Sequence, residues 1–320
     1  MPKHEIRIEN SMMMKKIKGL IAAPFTPMHE DGKINELAIA DYYNFLKANG
    51  VVGAFLNGST GEGVSLTNEE RKHTAEQWAA QAKKDSNPIT LINLVGGTSY
   101  QESIHLARHS QEVRMDAIAV IAPFYFKPGS AEQLAEFVMK VGAAVPDLPV
   151  YFYHIPVLTG VDIPMIELVK ALHGKMPNFA GVKYTHEDFM DYLSCLHFAD
   201  GQYDMLWGRD ENLLAALALG AEGGVGSTYN YAMPLYTKLI DDYKRGDIVS
   251  ARQLQQQSID MIRLLGKYGG IGTGKAFMRY VGIDCGQFRS PIKPMTESVY
   301  DSFVKDVDAL GMSELFSKSE

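Results

Sequence analysis

Cysteine is scarce in this 320-residue chain: only Cys195 and Cys285 are present, and neither lies in a Cys-x-x-Cys motif. Two cysteines are too few for the disulfide framework that stabilises small secreted proteins. We therefore interpret both as buried thiols in a reducing compartment, and we expect a cytoplasmic protein.

Net positive charge is also lacking, because 38 acidic residues outnumber 31 basic residues and give a formal charge of −7. This balance argues against a nucleic-acid-binding protein, which normally has a basic face. The longest apolar run, residues 117–126, is far shorter than the roughly 20 residues that span a bilayer. The sequence thus predicts neither a nucleic-acid nor a membrane partner. Any anion site must be local, built from backbone N–H groups and hydroxyls.

What the chain does contain is a regular alternation of short apolar runs with longer segments of helical period. Strands are predicted at residues 17–23, 51–56, 89–94, 117–122, 150–153, 180–183, 204–207 and 223–226. Helices are predicted to begin near Asn35, Asn68, Ser99, Ser130, Pro164, His186, Asp210 and Tyr231. The strands are continuously apolar, which is typical of parallel strands covered by helices.

Eight such βα units without a linker predict an α/β fold, a (β/α)8 TIM barrel, over residues 16–246. Beyond residue 246 the pattern is only helical, with helices expected at 248–268, 275–281 and 296–310. We interpret residues 247–320 as a C-terminal helical extension packed on the barrel. Residues 1–15, which begin with a polar and aperiodic stretch, are expected to form a flexible leader.

In a TIM barrel, functional residues collect where the strands end. The segment after the second predicted strand, residues 57–63, reads Asn-Gly-Ser-Thr-Gly-Glu-Gly. Its glycines let the backbone turn N–H groups inward, and Ser59 and Thr60 add two hydroxyls, so it could hold a carboxylate or phosphate. On composition alone, a flexible turn explains this segment equally well.

Two reactive side chains close the fifth and sixth predicted strands. Tyr153 could place a hydroxyl at the barrel mouth as a proton carrier, although a core aromatic residue is the simpler interpretation. Lys183 ends an apolar strand, where an ammonium group is costly to bury. It must therefore either reach water or have a function.

Polar residues also follow the last two predicted strands, at 208–211 and 223–228. The acidic pair Asp210 and Glu211 suits a polyhydroxyl group better than a phosphate, because carboxylates accept hydrogen bonds from hydroxyls. The alternative for both segments is an ordinary helix start and turn.

Two other patterns imitate functional motifs. Residues 269–275 match the start of a phosphate-binding P-loop, but Ala276 follows where a serine or threonine should hold Mg²⁺, and the segment follows a helix. His105 and His109 have the i, i+4 spacing of zinc ligands but lack an accompanying acidic motif. We expect no nucleotide or metal site at either place.

Three segments taken together are more specific than any one alone: Gly-Ser-Thr-Gly-Glu at 58–62, Tyr-x-x-Pro at 153–156 and Gly-Val-Lys at 181–183. Their order and spacing resemble the dihydrodipicolinate synthase/N-acetylneuraminate lyase family of class I aldolases. Within it, residues 153–160, 208–211 and 226–230 are most similar to members that cleave N-acetylneuraminate. Leu158 stands where the dihydrodipicolinate synthases carry a carboxylate-binding arginine, which argues against that activity.

The resemblance implies roles for particular residues. Lys183 and Tyr153 would be catalytic. The sugar end of the substrate would be lined by Thr185, Gly208, Asp210, Glu211 and Ser227. Tyr125 resembles the family tyrosine that crosses a subunit interface to complete a neighbour's site, which implies a homotetramer built from dimers.

The residues themselves also indicate an aldolase reaction. Cleavage of a C–C bond beside a ketone needs an electron sink, which a lysine amine supplies by forming an iminium with the ketone. Desolvation would lower the pKa of Lys183 and leave more of its amine neutral. Tyr153 would move the proton of the aldol hydroxyl, supported by neighbours such as Thr60 or by the substrate carboxylate. Ser59, Thr60 and the loop N–H groups would hold the pyruvate carboxylate.

The sequence therefore predicts a lyase that reversibly cleaves N-acetylneuraminate to pyruvate and N-acetylmannosamine, with neither a metal nor a dissociable cofactor. Three alternatives stay open. They are an aldolase for another 2-keto-3-deoxy sugar acid, a dihydrodipicolinate synthase-like enzyme, and a barrel that binds keto acids without turnover.

Overall fold

A computed structural model of the chain describes residues 16–319, and the predicted leader at residues 1–15 lies outside this range. Eight parallel strands close into a barrel in which β1 pairs with both β2 and β8. The strands are β1 Gly19–Ala22, β2 Gly53–Leu56, β3 Thr90–Leu94, β4 Ala117–Ile121, β5 Val150–His154, β6 Phe179–Tyr184, β7 Asp204–Trp207 and β8 Gly223–Gly226. The predicted (β/α)8 TIM barrel is confirmed.

Helices follow the strands and cover the outside of the barrel. They are α1 Ala38–Ala48, α2 Asn68–Lys84, α3 Tyr100–Glu112, α4 Ala131–Gly142, α5 Pro156–Thr159, α6 Met165–Leu172, α7 Phe189–His197, α8 Leu213–Leu219 and α9 Met233–Lys244. Polar caps fix several starts; in α2, Glu70 N–H donates to Thr67 Oγ1 and Thr67 N–H donates to Glu70 Oε2. Across residues 16–319, no helix combines the length and apolar character needed to cross a bilayer.

Every strand is buried on both faces, which explains its continuously apolar sequence. One set of side chains fills the barrel, including Ile21, Phe55, Ile92 and Leu206. A larger set packs between the strands and the helices. Because neighbouring strand residues point to opposite faces, the interior positions of β5 and β6 are fixed by this packing.

Three further helices form the C-terminal part: α10 Ile248–Lys267, α11 Thr273–Tyr280 and α12 Glu297–Ala309. Phe277 of α11 stacks on Tyr231 at a centroid distance of 4.5 Å, which joins these helices to the barrel. Gln255 of α10 donates to the Asp210 carbonyl and accepts from Leu214 N–H, so the same helices also brace the segment after β7.

The structure differs from the sequence prediction mainly where helices begin. The short helix α5 was not predicted, because its four residues are too few to show a period. Helix α7 begins at Phe189 rather than near His186, because the Asp188 carboxylate accepts from Met190 N–H and caps the helix there. Residues near Asp210 form a 3₁₀ turn, and α8 begins only at Leu213.

Candidate active site

Lys183 and Tyr153 are neighbours at the end of the barrel where the strands finish. They are paired in register on β6 and β5, with both side chains buried. Lys183 is 4% exposed, and its Nζ lies 4.0 Å from the ring centroid of Phe55 and 4.0 Å from that of Tyr153. The amine is therefore held between two aromatic rings and away from bulk water.

This burial changes the protonation of Lys183. Desolvation lowers the pKa of Lys183 to about 7, and attraction to the buried Asp210 carboxylate opposes part of that change. A lysine at its reference pKa is neutral in only about one molecule in a thousand near pH 7.4. With a pKa of about 7, a large fraction of the Lys183 amine is neutral and able to act as a nucleophile.

The Tyr153 hydroxyl lies in the same buried space. Burial raises the pKa of Tyr153 to about 12, while the hydroxyls of Ser59 and Thr185 act to lower it. In the loop after β2, the hydroxyl that acts on the pKa of Tyr153 is that of Ser59, whereas the sequence analysis offered the adjacent Thr60. The phenol is thus protonated at neutral pH, and the Ser59 and Thr185 hydroxyls lie near it.

The loop after β2, residues 57–63, adopts an unusual backbone. Asn57 and Glu62 have φ angles of 56° and 59°, and a Cβ on Gly63 would lie 1.8 Å from the Asn57 carbonyl oxygen. Within residues 16–319, the N–H groups of Ser59, Thr60 and Gly61 donate to no protein acceptor. Consecutive unpaired N–H groups beside two hydroxyls form a site suited to a carboxylate.

Residues of the C-terminal part contact this loop through the Glu62 side chain. The Glu62 carboxylate, itself buried, pairs with Lys275 Nζ at 2.8 Å and accepts from Arg289 N–H at 2.8 Å. Lys275 also donates to the Gln287 carbonyl. We call Glu62, Lys275 and Arg289 the loop clamp. The lysine of the P-loop-like segment is therefore part of a buried ion pair.

Asp210 lies on the same rim but turns inward. Its Oδ2 accepts from both the N–H and the hydroxyl of Thr228, at 2.9 and 2.6 Å. Desolvation raises the pKa of Asp210 to about 6, and Thr228 and Lys183 act to lower it. A Cβ on Gly226 would lie 1.8 Å from Asp210 Oδ1, so only glycine fits beside this carboxylate. Asp210 thus contributes to the electrostatics of Lys183 and is not simply an open acceptor.

The remaining residues predicted for the sugar end lie around the same opening. Gly208 leaves room for Thr185, whose Oγ1 would be 2.0 Å from a Cβ at that position. Glu211 is half-buried, with its Oε1 3.3 Å from Arg209 Nε. Ser227 is half-buried at the end of β8. These four positions follow β6, β7 and β8, next to Lys183 on the barrel rim.

Tyr125 does not reach the site of its own chain. It is 78% exposed on the segment after β4, beside the 86% exposed Phe126, whose ring it contacts. Leu158, at the position discussed for the absent arginine, is 62% exposed.

Several residues of the site were not found from the sequence. Phe55, whose ring lies 4.0 Å from Lys183 Nζ, has no signal beyond its place near a strand end. Thr228 was within a segment singled out from the sequence, but its contact with Asp210 was not predicted. The Glu62–Lys275 pair joins positions 213 residues apart, and no sequence spacing links them. Against the outside of the barrel wall, His154, Asp162 and His186 form a further group that sequence analysis missed.

Comparison with known proteins identifies the family of the whole chain. The family described as the dihydrodipicolinate synthetase family matches residues 16–310. An N-acetylneuraminate lyase of Rattus norvegicus is 42% identical over 287 residues, which are 88% of this chain and 89% of the rat protein. The Homo sapiens N-acetylneuraminate lyase is 40% identical over 310 residues, covering 94% of this chain and 96% of the human protein.

Solved structures give the same result. Proteus mirabilis N-acetylneuraminate lyase superposes with a TM-score of 0.89 at 37% identity, over 92% of this chain and 99% of the bacterial chain. The residues matched by the family extend from β1 through the loop after β2 and the β8 end to α12. The resemblance inferred from the motifs is confirmed, and the chain belongs to the dihydrodipicolinate synthetase family.

Proposed function

We propose that this protein is a class I aldolase that reversibly cleaves N-acetylneuraminate to pyruvate and N-acetylmannosamine. The observation that carries the proposal is the Lys183 amine, buried between Phe55 and Tyr153 with its pKa lowered to about 7. The names of the relatives that cover most of the chain support the choice of substrate.

The first steps build the electron sink. The neutral Lys183 amine attacks the C2 ketone of the open-chain sugar acid, and loss of water from the carbinolamine gives an iminium. Ser59, Thr60 and the unpaired N–H groups of the loop hold the C1 carboxylate next to that carbon. This local site satisfies the requirement set by the net negative charge of the chain.

Tyr153 then moves the proton that drives cleavage. Its oxygen accepts the proton of the C4 hydroxyl as its own O–H proton passes to the substrate carboxylate, and the electron pair of the breaking C3–C4 bond flows into the iminium to give an enamine. The aldehyde departs, C3 is protonated, and water hydrolyses the resulting iminium to pyruvate and free lysine. Because a phenol with a pKa of about 12 keeps its proton at neutral pH, it acts as a base only when the substrate carboxylate takes that proton, with the Ser59 and Thr185 hydroxyls assisting the transfer.

The hydroxylated end of the substrate would lie along the rim formed by β6, β7 and β8. Glu211 and Ser227 are half-buried there and can accept or donate hydrogen bonds to sugar hydroxyls. Thr185 and Gly208 lie between Lys183 and these two residues and shape the opening there. Asp210 takes part through its remaining oxygen and its field at Lys183, since Thr228 already occupies Oδ2.

Assembly and location form part of the same proposal. The exposed Tyr125 would complete a neighbour's site in a homotetramer, supported by its exposure beside Phe126. The buried and unpaired Cys195 and Cys285 support a cytoplasmic location. No metal or dissociable cofactor takes part in the reaction, because the electron sink is the Lys183 iminium.

The deciding experiment is release of pyruvate from N-acetylneuraminate, followed with lactate dehydrogenase and NADH. We expect turnover with N-acetylneuraminate and much slower turnover with other 2-keto-3-deoxy sugar acids. Preference for a different sugar acid would identify a related aldolase. Condensation of pyruvate with aspartate semialdehyde would identify a dihydrodipicolinate synthase-like enzyme.

A trapping experiment tests the reacting residue directly. Borohydride in the presence of pyruvate should attach a reduced pyruvyl group to the peptide that contains Lys183, as read by mass spectrometry. Lys183→Met should abolish labelling, whereas Lys175→Met, at an exposed lysine, should leave it unchanged. Binding of pyruvate without labelling would indicate a barrel that binds keto acids without turnover, and labelling elsewhere would refute the assignment.

A further inference from the structure

Two histidines and an aspartate meet on the outer side of the barrel wall. His154 ends β5, and because strand residues alternate, its side chain points away from the interior that Tyr153 faces. Its ring packs on Tyr184, with a centroid distance of 5.1 Å. His186 follows β6 and Asp162 lies between α5 and α6, and the ligating atoms of all three residues lie within 4.8 Å of one another.

His154 is unusual within this group. It is 2% exposed, and within residues 16–319 its ring nitrogens make no hydrogen bond. A neutral imidazole without a hydrogen-bond partner keeps a nitrogen lone pair that can bind a cation. The His154 ring is aimed at the group that contains His186 and Asp162, at a ring-centroid distance of 5.5 Å from His186.

The spacing is close to that of a metal site. Zinc binds imidazole nitrogen and carboxylate oxygen at about 2.0–2.2 Å, which places tetrahedral ligands roughly 3.3 Å apart. His186 Nε2 and Asp162 Oδ1 are 3.6 Å apart. Asp162 is exposed and His186 is half-buried, so both side chains can move toward a cation while His154 stays fixed.

We infer that His154, Asp162 and His186 bind a late first-row divalent cation, with Zn²⁺ as the representative ion and one coordination position left for water. Two imidazoles and one carboxylate suit such an ion and not Mg²⁺ or Ca²⁺, which prefer oxygen ligands. The site is separate from the proposed aldol chemistry, in which no metal takes part. A bound ion would join the segment after α5 to the segment after β6.

Calorimetric titration of Zn²⁺ into the metal-free full-length protein tests the inference. We expect one saturable site per chain, and His186→Gln should weaken it by at least about tenfold, since even outer-shell changes at metal sites cost this much. The matched control is His73→Gln. It alters the surface group in which Glu76 lies 2.8 Å from His109 and 3.7 Å from His73, and it should leave the affinity unchanged.

Further variants and other cations distinguish specific zinc binding from loss of the fold and from non-specific binding. Asp162→Asn, at an exposed position, should also weaken binding, and circular dichroism reports whether either variant is folded. Mg²⁺ and Ca²⁺ should show no saturable binding, and Co²⁺ should give the absorption bands of a tetrahedral complex. Absence of a Zn²⁺ site, equal affinity in folded His186→Gln and Asp162→Asn proteins, or loss of binding in His73→Gln would each overturn the inference.

Discussion

Replacing Lys183 with methionine is expected to abolish cleavage and to stabilise the folded protein. Lys183 is 4% exposed, and burial lowers its pKa from 10.5 to about 7. A pKa change of this size corresponds to about 5 kcal/mol of disfavoured burial of the ammonium form. Methionine has a similar length and no charge, so it removes this cost. This figure already includes the attraction to Asp210, because the pKa of about 7 is the net result of desolvation and that attraction.

The pH dependence of the gain in stability distinguishes removal of a buried charge from a change in side-chain packing. The unfolded chain binds a proton at Lys183 with a pKa near 10.5, whereas the folded protein does so with a pKa of about 7. Between these pH values the unfolded state holds more protons, so this lysine makes stability rise with pH. The advantage of Lys183→Met should therefore be largest at and below pH 7 and should shrink toward pH 10.

Thermal unfolding at equal protein concentration measures the effect. For a chain of this size, 1 kcal/mol shifts Tm by about 2 °C, so Lys183→Met should melt several degrees above the wild type at pH 6.5. The difference should narrow at pH 9. Lys175→Met, at an exposed position, should show a small change that does not depend on pH. If Lys183→Met is less stable, or its gain is constant with pH, the assigned protonation of Lys183 is wrong.

Three further variants test other parts of the site. Tyr153→Phe should lower kcat by about 10²–10⁴-fold; it should still allow borohydride trapping of pyruvate, and a loss below tenfold would mean that another group moves the proton. Glu211→Ala should lower kcat/KM for N-acetylneuraminate about 5–30-fold through a lost acceptor. It should spare exchange of pyruvate methyl protons in D₂O, and equal loss of both activities would contradict a role at the sugar end. Lys275→Met should cost about 3–5 kcal/mol in urea unfolding, because the Glu62 carboxylate stays buried without its partner. The double variant with Glu62→Gln should recover much of this loss; no recovery would mean that Lys275 acts through other contacts.

The structure gives Asp210 and Glu211 different surroundings, and for this reason Glu211 is the residue replaced in the test of the sugar end. Sequence analysis treated Asp210 and Glu211 as equivalent acceptors after the seventh strand. Thr228 binds the Asp210 carboxylate, and Asp210 also acts on the pKa of Lys183. A change at Asp210 therefore alters the catalytic centre as well as the sugar end, whereas Glu211 lies on the rim.

The strands and the long helices could be predicted from the sequence because each depends on a local pattern. Predicted strand 204–207 coincides with β7, and predicted helix 248–268 ends one residue after α10. Lys183 and Tyr153 could be proposed because strand ends in a barrel meet at one rim. Their protonation could be given only a direction, since it depends on the Phe55 ring and on Asp210, which the fold brings together.

Contacts between residues far apart in the chain could not be predicted from the sequence patterns. The loop clamp joins Glu62 to residues more than 200 positions later, and its lysine lies in a segment that resembles a P-loop. Nothing in that local pattern distinguishes a phosphate-binding lysine from one that neutralises a buried glutamate. Likewise, His154 ends β5 and His186 follows β6 without any motif spacing, so the pairing of these two strands brings their rings together.

The loop clamp has a consequence for synthesis, since we expect it to form only after the barrel strands have been translated. A ribosome that has finished all eight strands has produced Glu62 without its partners, because the Lys275 ammonium and the Arg289 backbone N–H are still to be added. Until α11 docks, a buried site for this carboxylate would carry an uncompensated charge, so the segment with Ser59 and Thr60 gains its final geometry late. The residues translated after the barrel thus complete the loop after β2, and we expect nascent chains that stop after β8 to bind pyruvate only once these residues are added.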